Sequence, residues 1–223
     1  MTTTFSARPH FDPRVPFSRA DARAAGIAEK ALRTPAYQRI FHDTYLCSSV
    51  RVTTAVRAAA AIQRAGSFTA YVSHHTAAEL WGIPAPVDGL THITAAKDEG
   101  RNRCRGVITH KPFARGDNVR DHGGLRVSAP EQVFCELATA GIGLVDLVVA
   151  GDAMLKTKRA TIESLKRAVR GIRGRGVRTA RRALGYVRAG VDSPMESRLR
   201  MLPPARWRPE WRQHFPGHVG PTR

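Results

Sequence analysis

At 223 residues the chain has room for one large domain or two small ones, at roughly 150 residues per domain. Hydrophobic residues at 42% and charged residues at 24% exclude a disordered or fibrous polymer. A formal charge of +18 argues against an acidic substrate and for a polyanionic partner, with nucleic acid the leading expectation. Cys47, Cys104 and Cys135 are scattered, with no C-x-x-C, so neither a disulfide framework nor a zinc ribbon is expected. No segment reads as a secretion signal or membrane span, because the longest apolar stretch, Gly141 to Gly151, is short and contains Asp146. The expected setting is cytoplasmic, with no membrane partner.

Residues 1–16 contain Pro9, Pro13 and Pro16 and predict an extended arm. Ser18 with Asp21 three residues later predicts a capped helix that Gly26 ends. A second helical stretch, Ile27 to Thr34, stops before Pro35. Tyr37 to Val52 alternates as two short strands around His42-Asp43-Thr44, so residues 17–52 have the outline of a helix-turn-helix with a wing. Residues 53–65 and 73–81 predict helices, the second capped by Ser73. Residues 89–95, 104–111 and 125–128 have strand composition and suggest a small antiparallel sheet. A helix from Pro130 through Leu137 precedes 142–155, which is apolar on every side and reads as a buried helix.

The charge is unevenly distributed. Residues 1–155 hold 18 basic and 14 acidic side chains, whereas 156–223 hold 18 basic and four acidic. In the basic part, Thr161 to Arg170 carries an apolar stripe of Ile162, Leu165 and Val169. A G-I-R-G-R-G connector follows, then a helix burying Val177, Ala180, Leu184 and Val187. Residues 203–223, with five prolines and no periodicity, predict an irregular tail. The fold class expected is α+β. The expected divisions are the arm 1–16, a winged helix-turn-helix 17–52, an α/β domain 53–155, an Arg-rich helical segment 156–202 and the tail 203–223.

Three runs occur in a characteristic order: F-S-R-A-D-A-R-A-A-G-I (Phe17 to Ile27), Y-Q-R-I-F-H-D-T-Y-L (Tyr37 to Leu46) and S-H-H-T-A-A-E-L-W-G-I-P (Ser73 to Pro84). With T-H-I-T (91–94), R-G-V-I-T-H-K (105–111) and L-R-V-S-A-P-E-Q-V-F-C-E-L-A (125–138), the chain resembles the actinobacterial AbiEi-type antitoxin-like proteins over roughly residues 17–200. That resemblance implies a winged helix that binds operator DNA, an antitoxin-like domain behind it, and a toxin protein as a further partner. S-P-M-E-S-R-L-R (193–200) resembles the start of a very-short-patch-repair-like endonuclease domain of the PD-(D/E)XK class, with Glu196 at its first helical carboxylate. Such a nuclease needs several carboxylates around a divalent ion, and beyond Glu196 the sequence offers only Glu210. The expectation is a truncated frame and an incomplete catalytic site, so no enzyme activity and no cofactor are assigned; the alternative is a metal-dependent endonuclease.

For duplex DNA the candidate contacts are Arg19, Lys30, Arg33 and Arg39 in the winged unit and Arg173, Arg175, Arg178, Arg181 and Arg182 in the basic segment. Histidines tempt a metal reading, since His74 and His75 are adjacent and Cys104, His110 and His122 could converge. Adjacent histidines usually face different ways and H-E-x-x-H is absent, so structural roles and no metal are expected. No nucleophile is nominated among the cysteines, and no dimer interface is legible.

Overall fold

In a computed structural model, residues 11–96, 104–113 and 118–202 are described. Residues 1–10 of the expected arm and the tail 203–223 lie outside them.

The chain starts with α1 (Arg19–Ala24), whose N-terminus carries the expected capping box: Ser18 Oγ accepts the Asp21 amide, and the Asp21 carboxylate accepts the Ser18 amide. Its partner is a single 3-10 turn, Glu29–Arg33. The antiparallel hairpin β1 (Tyr37–Phe41) and β2 (Thr44–Cys47) follows, with Asp43 in the left-handed region at φ 59°. Phe17, Ala22 and Leu32 form a small core beneath it, joined by Phe11, Ile27, Tyr37 and Tyr45. The end of the expected arm is therefore packed: Phe11 meets Phe17 edge-on at 5.0 Å, and the Pro13 carbonyl accepts the Cys47 amide.

α2 (Thr54–Ala65) is an alanine helix, capped by Thr53, and its small side chains let two layers approach it closely. Ala60 and Ala61 pack with Phe41 of the hairpin and Ile93 of the central sheet, and Arg64 donates to the His42 carbonyl at 2.6 Å. The sheet comprises β3 (Tyr71–Val72), β4 (Thr91–Thr94), β5 (Val107–His110), β6 (Val119–His122) and β7 (Leu125–Ser128), in the order β5-β4-β3-β7-β6. It is mixed, not antiparallel throughout: β4 runs parallel to β5 and β3 parallel to β7, while β3–β4 and β6–β7 are antiparallel. The expected strands β4 and β5 themselves pair in parallel, and β3, inserted between β4 and β7, adds a second parallel pair. α3 (His74–Leu80) follows β3 directly.

Five helices complete the fold: α4 (Pro130–Ala140), α5 (Leu144–Lys156), α6 (Ile162–Gly171), α7 (Val177–Leu184) and α8 (Pro194–Arg200). α5 is buried nearly all round, as its composition requires. One apolar core runs from Ala58 and Val72 through Phe134, Leu147 and Met154 to Leu165, Val169, Ala180 and Val187. The charge boundary at residue 155 is thus not a packing boundary. The molecule is α+β, with eight helices, a two-stranded and a five-stranded sheet among the described residues. No described helix is long and apolar enough to cross a membrane.

Candidate functional site

The predicted DNA-contact residues fall into two groups. Lys30 and Arg33 on the 3-10 turn and Arg39 on β1 are exposed and have no ion-pair partner among the described residues. Arg19 differs. Its Nε lies 2.5 Å from Asp43 Oδ1 and its Nη1 lies 3.4 Å from Glu29 Oε1, so it ties α1 to the hairpin turn and the 3-10 turn. Burial pushes the Asp43 carboxyl up, but the hydrogen bond and charge of Arg19 outweigh this and hold it below its ordinary value. The basic segment keeps its expected polarity: Val177, Ala180 and Ala183 of α7 are buried, while Arg173, Arg175, Arg178, Arg181 and Arg182 are exposed and unpaired among the described residues.

Glu196 sits in the first turn of α8, where its Oε2 accepts the Asp192 amide at 2.9 Å and its own amide donates to Ser193 Oγ. The rest of that motif holds α8 to the core. Ser197 Oγ donates to buried Asp152 Oδ2 at 2.6 Å, Arg200 Nη2 lies 2.6 Å from the same oxygen, and Arg198 pairs with Asp146. A capping carboxylate and a tethering helix are what the S-P-M-E-S-R-L-R residues provide here.

Sequence reasoning missed a histidine cluster. β4 is buried on both sides, so in T-H-I-T the Ile93 side chain joins the α2 layer while His92 and Thr94 face α3. β5 runs parallel alongside and sets His110 opposite Thr94. His92 Nδ1 lies 2.9 Å from His110 Nε2, and His92 Nε2 lies 2.7 Å from Asp88 Oδ2. The His74 ring stacks on His110 at 3.5 Å between centroids, and His75 lies 4.9 Å from His92. Cys104 and His122, the other expected participants, are elsewhere: Cys104 packs under α2, and His122 lies against Trp81 at 4.4 Å.

The start of α3 is held by unusual means. Ser73 does not cap through its side chain. Its Oγ accepts from Thr94 and contacts His74 Nδ1 at 3.0 Å. The His74 amide donates instead to Glu136 Oε2 at 2.7 Å, while Ser128 Oγ and Gln132 donate to Oε1 of that buried carboxylate. His74 adopts φ 52°, a left-handed conformation uncommon for a non-glycine residue and supported by these bonds. Burial, followed by the neighbouring imidazoles, drives the His74 pKa down to about 2, and burial with His92 drives His110 down to about 4. Both rings are neutral at physiological pH. His75 is lowered in the same way. Beside the cluster a cavity of about 450 Å³ is lined by Arg57, His75, Glu79, Pro84, Asp88 and Leu90 among others. Sequence spacing could not reveal the cluster, since its members come from three separate elements and the Asp88 loop.

The fold and these two features define an α+β protein with a helix–hairpin unit docked on a mixed-sheet body. No family model matches the chain, and no curated protein matches it. The crystal structure of the RV2827C protein from Mycobacterium tuberculosis is similar, with a TM-score of 0.55 and 17% identity over 83% of this chain and 75% of that one. At that identity the likeness is one of fold.

Proposed function

We propose that the chain is a DNA-binding protein, an antitoxin-like transcriptional regulator whose helix–hairpin unit contacts duplex DNA. The observation that carries this reading is the exposure of Lys30, Arg33 and Arg39, unpaired among the described residues, on the compact unit formed by the 3-10 turn and the hairpin. The order of motifs that resembles the AbiEi-type antitoxin-like proteins supports the regulator class, and with it a toxin protein as a further partner. The exposed arginines of the connector and α7 supply sequence-independent attraction to phosphates. Arg19, paired with Asp43 and Glu29, ties α1 to the hairpin turn and the 3-10 turn.

The test is a fluorescence titration of the full chain on its own upstream DNA and on shuffled DNA at several salt concentrations. Neutralising Lys30, Arg33 and Arg39 together should abolish the preference for the upstream sequence. Replacing Arg178, Arg181 and Arg182 by Gln should weaken binding to both DNAs equally and reduce the log–log salt slope by about 2.7, if each contacts a phosphate. Equal affinity of the unsubstituted chain for both DNAs would leave generic polyanion binding in place of the regulator reading.

A further inference from the structure

We propose that His75 Nδ1, Asp88 Oδ2 and His92 Nε2 form a three-ligand site for a divalent transition-metal ion of the zinc type, with its remaining coordination position opening on the adjacent cavity. Ligand atoms of these three residues, one from each, lie within 4.8 Å of one another, and theirs is the only His/Cys/Asp/Glu grouping of that kind among the described residues. Bonds of about 2.0–2.1 Å in tetrahedral geometry hold ligand atoms about 3.3 Å apart. The observed separations, 2.7 Å from His92 to Asp88 and 3.9 Å from His75 to Asp88, straddle that value, so side-chain shifts of well under an ångström bring Asp88 Oδ2 to that spacing from both imidazoles.

An independent observation comes from His75. Its Nδ1 is buried and has no hydrogen-bond partner, although it points toward the Asp88 carboxylate. A buried ring nitrogen without a partner is costly, and an ion satisfies it. The donor set, two imidazoles and one carboxylate, suits zinc and its neighbours and not magnesium or calcium. The surroundings orient the ligands. The Leu90 amide donates to Asp88 Oδ1, leaving Oδ2 for the ion. With an ion on Nε2, the remaining His92 proton resides on Nδ1 and is donated to His110 Nε2. His75 and Asp88 both line the cavity, which places the open position on that side.

The full chain, freed of metal with a chelator, is titrated with zinc and with cobalt(II). One ion per chain is expected at this site, with the visible absorption of a four-coordinate cobalt centre. Asp88→Asn, which preserves shape, and His75→Ala should each weaken binding by at least about tenfold. His110→Leu, which removes the acceptor of the His92 Nδ1 proton together with the ring stacked on His74, should weaken it by about 10–100-fold. Other histidines offer competing ligands, so His122→Gln and the tail pair His214→Gln/His218→Gln serve as controls and should leave the affinity unchanged. Circular dichroism of the metal-free variants checks folding, with Asp88→Asn the decisive variant if His75→Ala is unstable. Absence of saturable binding, or an affinity in Asp88→Asn equal to that of the parent, overturns the site.

Discussion

Asp43 shows how much one residue can hold. It occupies the left-handed position of the hairpin turn and anchors Arg19, which reaches Glu29 as well. Because its folded pKa lies below the unfolded value of about 3.9, its contribution is present above that pH and is lost as pH falls through the folded value. Asp43→Asn keeps a residue that tolerates positive φ and removes the charge. Thermal unfolding should find the variant less stable than the parent at neutral pH, with the two curves converging as pH falls through the lowered folded value of Asp43. The effect will be modest, because both partners keep contact with solvent. The turn itself was legible from H-D-T between alternating residues. The pairing of Arg19 was not, since exposed and paired arginines look alike in a sequence.

Among the elements, the join between α6 and α7 is the most constrained. Gly176 has φ 83°, and a Cβ there would collide with the Ala138 carbonyl of α4. Gly174, two residues earlier, has φ 82° but faces open space. Gly174→Ala should therefore cost only the backbone strain, about 1 kcal/mol, and Gly176→Ala about 2–4 kcal/mol, a difference readable by urea denaturation. The composition of G-I-R-G-R-G announced a flexible connector; its close approach to α4 belongs to the packing. Helices are legible because each has a period or a cap: Ser18 caps as expected, Ser73 does not cap through its side chain, and Thr53 and Thr161 cap where the sequence does not single them out. β3 and β6 went unread for a different reason. β3 has only two residues, and β6, V-R-D-H at the sheet edge, lacks an apolar face.

For the whole molecule, the decisive feature is that the basic segment completes the core. Leu165, Val169, Val177, Ala180 and Ala183 are all buried in it. Removing everything after residue 155 should leave a chain with no cooperative thermal transition, so the role of the arginines has to be measured by surface substitution in the full chain. Buried Asp152 is a second tie. It accepts from the Arg188 amide, Ser197 and Arg200, and so fastens α8 and the segment leading to it onto α5.

The sequence by itself determined the α+β class, most helices, the hairpin and the polarity of the basic helix, because these depend on local periods, caps and charge. Tertiary structure alone decided the mixed sheet, the continuity of the core across residue 155, and the meeting of His74, His75, His92 and His110 beside Asp88. The physical reason is distance along the chain: a strand buried on both faces can carry polar side chains only when another element supplies their partners. Those partners come from Ser73 at the start of α3, from β5 and from the Asp88 loop, whose alignment with β4 has no local signature.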